Sequence, residues 1–519
     1  MLRVNGCKLR LHQDKSELGK IISKKLNTKR PFEYSIVKES IDARKGEVVF
    51  IYSVDVTIEN EERYLRYPDV SISKTLPFEY PKYSSFTKRP IVIGLGPSSL
   101  YCALLLAKCG ARPIVYERGS CVEKRMQDVE HFFKTGELNE QSNVQFGEGG
   151  AGTFSDGKLT SRSKDPRGNH VLEEFVRFGA DEEIMYQSHP HIGTDVLVGI
   201  LQKMREEILS LGGEIYFDHK LEDIEIKDDE IVRIQINGQW MDCDDLLIGI
   251  GHSARDTYRM LVKRNVACEP KNFAVGVRIE HTQEFVDQCQ YGQYAKLLPA
   301  ASYRLTHTTT KGRGVYTFCM CPGGEVIMAT SEAGHVVTNG MSYHARNNTN
   351  ANSAMLVQVK VEDVGNGIFD GMNFQENLEK KAFVMGGKNY HAPIQRAIDF
   401  VNHKPTTQLG DIKPTYRLGT TYCDLHELFP DFINESLEEG LIAFNKKMKG
   451  FLDDHALMSA VESRSTAPIR IIRDENCVSV NVKNLYPMGE GAGYAGGIVS
   501  AAIDGIKCAT EWMKKRGIV

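Results

Sequence analysis

The chain has 519 residues, of which 41% are hydrophobic and 25% charged, and a formal net charge of −4. That length exceeds what a single core organises, so two or three domains are expected, and the balanced composition excludes a disordered or fibrous chain. The first residues are broken by charges, no later run is apolar over a membrane-spanning length, and the twelve cysteines follow no metal-ligand spacing. A secretory signal, a membrane span, a disulfide framework and a metal site are therefore not expected, and the cytoplasm is the expected location.

Residues 1–85 read as a small α+β module: a strand over 2–11, an amphipathic helix over 16–26, and the β-rich runs FEYSIVKESIDA and EVVFIYSVDVTIE joined at Arg44-Lys45-Gly46. Residues 1–90 carry 18 Lys and Arg against 12 Asp and Glu, a basic excess able to steer an anionic partner. The stretch TLPFEYPKYSSFTKRP, with three prolines and no periodicity, reads as a linker.

From Pro90 an apolar strand (IVIGLG), a glycine turn, an apolar helix (SSLYCALLLAKCG) and a second strand (PIVYE) make a parallel βαβ unit. A long helix, TDVLVGILQKMREEILSLGG, then feeds a strand, and EIKDDEIVRIQINGQWMDCDDLLIGIG reads as a hairpin followed by a buried strand. Residues 261–455 lose this rhythm, which returns in NLYPMGE and GGIVSAAIDGIKCATEWMKK. The simplest arrangement is one domain made from 86–260 and 456–519, with a second domain inserted between its halves.

The strongest chemical signal is Gly94-Leu95-Gly96-Pro97-Ser98-Ser99, which leaves a strand and opens a helix, with Glu117 ending the next strand. Gly94 permits the tight turn, Gly96 lets the backbone approach a pyrophosphate, and the helix start offers free N–H groups, with Pro97 suited to its first turn. Glu117 is placed to accept ribose hydroxyls. Ser99 replaces the third glycine of the dinucleotide fingerprint, at a position that serves helix packing.

Such a turn serves NAD and FAD alike, and the choice comes from Gly489-Glu490-Gly491-Ala492-Gly493-Tyr494-Ala495-Gly496-Gly497, followed by Ile498 at the last helix. A second helix start facing the same ligand requires a long ligand, as FAD is. Here the sequence resembles the glutathione-reductase-type FAD superfamily, with Glu490 where that superfamily places an aspartate on the ribityl chain. The segments GEGGAGTFSDGKLTSR, NFAVGVRIEH, TFCMCPGG, NGMSYHARN, ESRSTAPIR and GEGAGYAGGI further resemble a bacterial family of FAD-dependent dehydrogenases along nearly the whole chain. The resemblance implies an α/β fold: a Rossmann-like FAD-binding domain of glutathione-reductase type, an inserted α+β substrate domain over 261–455 and the small N-terminal module.

Within that frame, Gly149, Gly150, Thr153 and Ser155 of the loop QFGEGGAGTFSDGKL are expected to cradle the cofactor, and Arg118 and Arg125 to reach its phosphates or adenine. Gly251 lies in LLIGIGHSARD, which resembles the strand re-entering beside the adenosine and is not a second nicotinamide fingerprint. NAD(P)H is therefore at most an external reductant. Acid–base candidates are His189, His191, Lys158, Glu462 and Arg464. Cys319 and Cys321 would close a disulfide only with strain and are not read as a redox pair. The expected activity is hydride transfer between flavin N5 and a small organic substrate. The alternatives are a flavin monooxygenase using NAD(P)H and O2, or an RNA-directed flavoprotein gripping its target with the basic module. The overall acidity and the lack of an aromatic platform in residues 1–75 count against nucleic acid as a partner.

Overall fold

The structure is a computed structural model. It describes all residues except 44–46, 75–77, 83, 85, 161–164, 518 and 519, so the Arg44-Lys45-Gly46 joint lies outside the described residues.

The N-terminal module is a four-stranded antiparallel sheet, in spatial order Glu33–Asp42, Val49–Thr57, Leu2–Arg10 and Val70–Ile72. In the strand Leu2–Arg10 the buried positions are Leu2, Val4, Cys7 and Leu9, and the register with Val49–Thr57 slips between Val4 and Cys7. That bulge keeps both apolar pairs on one face despite the odd spacing. The helix Leu18–Leu26 covers this face with Leu18, Ile22 and Leu26, spaced four apart. It begins after a short 3-10 turn over Lys15–Glu17, whose Ser16 amide donates to the Asp14 carboxylate, two residues later than its periodicity suggests. The module docks on the loop before His189: the Glu39 amide donates to the Tyr186 carbonyl at 2.7 Å, and Lys15 pairs with Glu183 at 2.6 Å.

The second sheet has five parallel strands in the order Leu485–Pro487, Leu246–Ile248, Ile91–Ile93, Ile114–Tyr116 and Glu214–Tyr216. Strands buried on both faces read as continuous apolar runs, which is why IVI, LLI and IVY carry no alternation. Helix Pro97–Lys108 is buried over most of its circumference and packs against the last helix, Ile498–Lys514. Chain order reverses beside Ile91–Ile93, where ligand crevices of such sheets open at the carboxyl ends of the strands.

The third sheet has seven strands, in the order Thr306–Thr308, Gly314–Cys321, Asn350–Val359, Phe273–Thr282, Leu457–Glu462, Ala392–Arg396 and Thr420–Tyr422. All its pairings are antiparallel except the last. Helix Asp431–Lys447 buries Ile433, Leu437, Leu441 and Phe444 against it.

Two sequence expectations change here. Strand Leu457–Glu462, expected in the returning half of the first domain, is a central strand of the seven-stranded sheet. A short apolar run such as LMSAVE suits a central strand of either sheet, and only its partners decide. The chain returns past the pairing of Ile469–Ile471 with Cys268–Pro270. Likewise, the run expected as a hairpin is a three-stranded meander of Leu221–Lys227, Glu230–Ile236 and Gln239–Asp242. Among the described residues, no helix is long and apolar enough to cross a membrane.

Candidate functional site

A deep crevice opens at the carboxyl ends of the parallel strands and runs on to the seven-stranded sheet. It is lined by Gly94, Gly96, Pro97 and Ser98 of the first turn, by Gly496, Gly497 and Ile498 of the last, and by Phe318, Cys319, Asn339 and Glu462 from the inserted region. Gly94 has φ +84°, and a Cβ there would stand 2.4 Å from the Gly249 carbonyl oxygen, so only glycine fits the turn. Both helix starts meet at one point: a Cβ on Gly152 would lie 3.0 Å from Ile498 and 3.9 Å from Pro97. The unpaired amides and positive ends of two long helices thus face the same space.

Glu117 ends its strand buried, and its carboxylate accepts from the amides of Leu95 at 2.7 Å and of Gly119 and Gly147 at 2.9 Å. It ties the first turn to the 143–155 loop while still lining the crevice. Arg118 lines it as well, paired with Asp256 at 2.9 Å and stacked over Phe146. Gly150, Ser155, Gly251 and Glu490 complete this wall. Burial pushes the Glu490 carboxyl up to about 7, opposed by Lys271.

Several expected contacts stand behind the wall instead. The Ser99 hydroxyl donates to the Ile93 carbonyl at 3.0 Å, pinning helix to strand. Arg125 is fully buried and gives its guanidinium to the carbonyls of Asn143, Val144 and Glu148 at 2.6–3.0 Å, so it shapes the loop and meets no ligand. Thr153 joins this network through its hydroxyl, and a Cβ on Gly149 would collide with it. The Gly489 amide donates to Asp504, the Gly491 carbonyl accepts from Tyr258, and Ala495 does not line the crevice. Fixed glycine turns have two sides, and sequence spacing does not say which residue faces outward.

The acid–base candidates also separate. His189 and His191 are not among the lining residues. His191 stacks on His344 and bonds its carbonyl at 3.1 Å, and burial, then Arg346, holds its imidazole down near 4. Burial also lowers His189. Arg464 lines the crevice, but its guanidinium is committed to Glu379, Glu332 and Ser331. Lys158 is at the wall, bound to Asp156 at 2.8 Å and to the Met320 carbonyl.

Glu462 is different. It is buried at the end of its strand, its Oε2 has no hydrogen-bond partner, and the nearest cation, Arg278 Nε, is 3.7 Å away. Burial pushes its carboxyl up to about 7, Arg278 opposing and Cys319 adding to the rise. A buried carboxyl that faces one cation without a hydrogen bond is costly as the charged form, which favours its protonation.

Asp156, Phe318 and Asn339, which no motif pointed to, and Cys319, discounted above as half of a redox pair, also form part of this end. One signal was available: Arg278 sits within the apolar run FAVGVRIEH, and an arginine inside a buried strand must serve a nearby acceptor.

Behind the wall, Glu379 is fully buried between Arg255 and Arg464. Glu332, His335 and Glu379 place ligand atoms within 4.8 Å of one another, but the two guanidinium groups already occupy the carboxylates, which disfavours a cation. Glu379→Ala would leave two buried arginines short of their counter-charge, at an expected cost of about 3–5 kcal/mol. Denaturant unfolding at pH 7 measures this, and an unchanged midpoint would show the cluster to be solvated.

A family model described as "FAD-dependent protein, C-terminal domain-like" matches residues 272–465, and a domain of unknown function matches residues 1–57. The first span ends just past strand Leu457–Glu462, in accord with the sheet that holds it. A Clostridium beijerinckii protein, described only as an uncharacterized protein, is 48% identical over 526 residues, covering 99% of each chain. The chain belongs to the same family of FAD-dependent proteins. This FAD-dependent protein is a flavoprotein, with FAD as its cofactor. Solved structures resemble it loosely. CtdE in complex with FAD is 12% identical, covering 82% of this chain and 83% of that one at a TM-score of 0.32. Pseudomonas aeruginosa PqsL in complex with 2-aminobenzoylacetate is 10% identical, covering 81% and 84% at 0.35. Superpositions that loose add nothing to the geometry.

Proposed function

We propose that the protein is an FAD-dependent dehydrogenase or reductase of a small organic substrate, its cofactor held in a glutathione-reductase-type arrangement. On this reading residues 86–260 and the chain beyond about 466 hold FAD, and the inserted residues carry the substrate. The observation that carries it is the meeting of two helix starts at Gly152, on a crevice that continues to the buried carboxyl of Glu462.

The residues present fit the cofactor. A Cβ on Gly251 or Gly496 would meet no protein atom within 4 Å, so both border open space. Gly96, Pro97, Ser98, Gly496, Gly497 and Ile498 would hold the pyrophosphate and ribityl chain, Glu117 the ribose, and Arg118 with Phe146 the adenine. Bound there, FAD supplies a two-electron redox centre at the Glu462 end. The Glu462 carboxyl holds or releases a proton near neutral pH, and the Lys158–Asp156 pair lines the same crevice.

An anaerobic screen of NADH, NADPH and organic donors should find a class that bleaches the flavin band without added enzyme. If admitting air to the bleached protein led to oxygen uptake coupled to a hydroxylated product, the reaction would be monooxygenation and this reading would fail.

A further inference from the structure

Cys319 and Cys321 lie at the end of strand Gly314–Cys321, and both are free thiols. The strand is not straight there. Its register against Asn350–Val359 slips between Phe318 and Cys321, and Cys319 has φ +46°, a left-handed conformation that a residue with a side chain adopts at a cost of about 1–3 kcal/mol. In a straight strand, residues two apart stand about 6.7 Å apart, at the upper edge of the Cα separation a disulfide spans. The left-handed turn at Cys319 breaks that straight geometry.

The surroundings select the sulfurs further. Cys319 lines the crevice beside Glu462 and Lys158. The Cys321 thiol donates to the Cys319 carbonyl at 3.3 Å. The fully buried Arg278 donates to the Cys319 carbonyl at 3.1 Å and stands 3.9 Å from the Cys321 sulfur. The Cys321 thiol, then Lys158 and Arg278, pull the Cys319 thiol below its ordinary range against the effect of burial, while Cys321 is held up. A thiolate-prone cysteine near Lys158 and Arg278, followed two residues on by a second thiol, is the environment of a reactive pair.

We propose that Cys319 and Cys321 are a redox-active dithiol that exchanges an electron pair with the bound FAD by closing and opening a Cys319–Cys321 disulfide. The proposal rests on the placement of FAD in this crevice. In the closing direction the Cys319 thiolate and the Cys321 thiol lose two electrons and one proton as the S–S bond forms, and the oxidised flavin takes both electrons and that proton. Charge and atoms balance with no further reactant, and the reverse step reopens the bond. A disulfide across so short a loop is strained, and strained disulfides have the higher potentials of catalytic and regulatory pairs.

The test is an anaerobic dithionite titration of the holoenzyme after mild oxidation, alongside Cys319→Ser and Cys321→Ser. The wild type should take up twice as many electrons per FAD as either variant, the surplus belonging to the disulfide. Alkylation and peptide mass analysis of the oxidised wild type should show residues 314–325 with two hydrogens fewer and no alkylated cysteine. Uptake of a single electron pair in all three proteins, or full alkylation of the oxidised wild type, would overturn the dithiol while leaving the flavin assignment intact. A flavin band that never bleached would overturn the redox role of the whole site, and the dithiol with it.

Discussion

Gly496→Leu is expected to give a folded but colourless protein. A Cβ at Gly496 meets no protein atom within 4 Å, and its φ lies outside the left-handed region, so the apoprotein has no steric reason to resist the larger side chain. The same position lines the crevice at the start of helix Ile498–Lys514. A leucine would therefore occupy space assigned to the cofactor and stand between it and the helix amides. FAD affinity should fall by about 100-fold or more, equivalent to about 2.7 kcal/mol, with the apoprotein melting temperature unchanged. Gly94→Ala is the contrasting case, since its Cβ would meet the Gly249 carbonyl oxygen at 2.4 Å with φ +84°, and it should lose folding stability as well as flavin. Flavin content after gel filtration, with apoprotein melting curves, separates the two. A fully yellow Gly496→Leu would place the cofactor elsewhere.

Glu462→Gln should change both the pH profile and the stability. The folded protein keeps a proton on Glu462 up to about pH 7, whereas the unfolded chain releases it near the ordinary value of 4.5. Between those values the folded state binds more protons than the unfolded one, so stability falls as pH rises through this window and levels off above it. The loss is on the order of 3 kcal/mol. The glutamine variant, neutral at every pH and of nearly equal volume, should melt higher than wild type at pH 8 and close to it at pH 4. Glu148 and Glu490 also sit near 7 but are common to both proteins. With whichever donor bleaches the flavin, the variant's rate should drop about 100-fold or more and lose its dependence on a group titrating near 7. Retention of the wild-type rate and profile would remove Glu462 from the chemistry.

The elements that read clearly from sequence are those whose signal is local. Gly94, Gly96 and Pro97 announce a strand-to-helix turn because backbone conformation at three adjacent positions dictates the residue types. The spacing of Leu18, Ile22 and Leu26 fixes a helix face in the same way. The site is less legible. Arg125, Thr153 and Ser99 carry the residue types of ligand contacts yet turn inward to bond carbonyls, and His191 meets His344 rather than the crevice. Whether a polar side chain in a loop faces its own fold or a ligand depends on where carbonyls left unpaired by the tertiary structure happen to lie.

By itself the sequence determined the parallel βαβ start, the two glycine-lined helix openings, the small N-terminal α+β module and, through its motifs, the flavin cofactor. Only the tertiary structure decided that Leu457–Glu462 belongs to the seven-stranded sheet, that Glu462 ends there without a hydrogen-bond partner, and that Cys319 and Cys321 stand beside it. Those groups come together through the pairing of Phe273–Thr282 with the distant Leu457–Glu462 and of Gly314–Cys321 with Asn350–Val359. Strand pairing is chosen by the fit of whole faces, which no local pattern records.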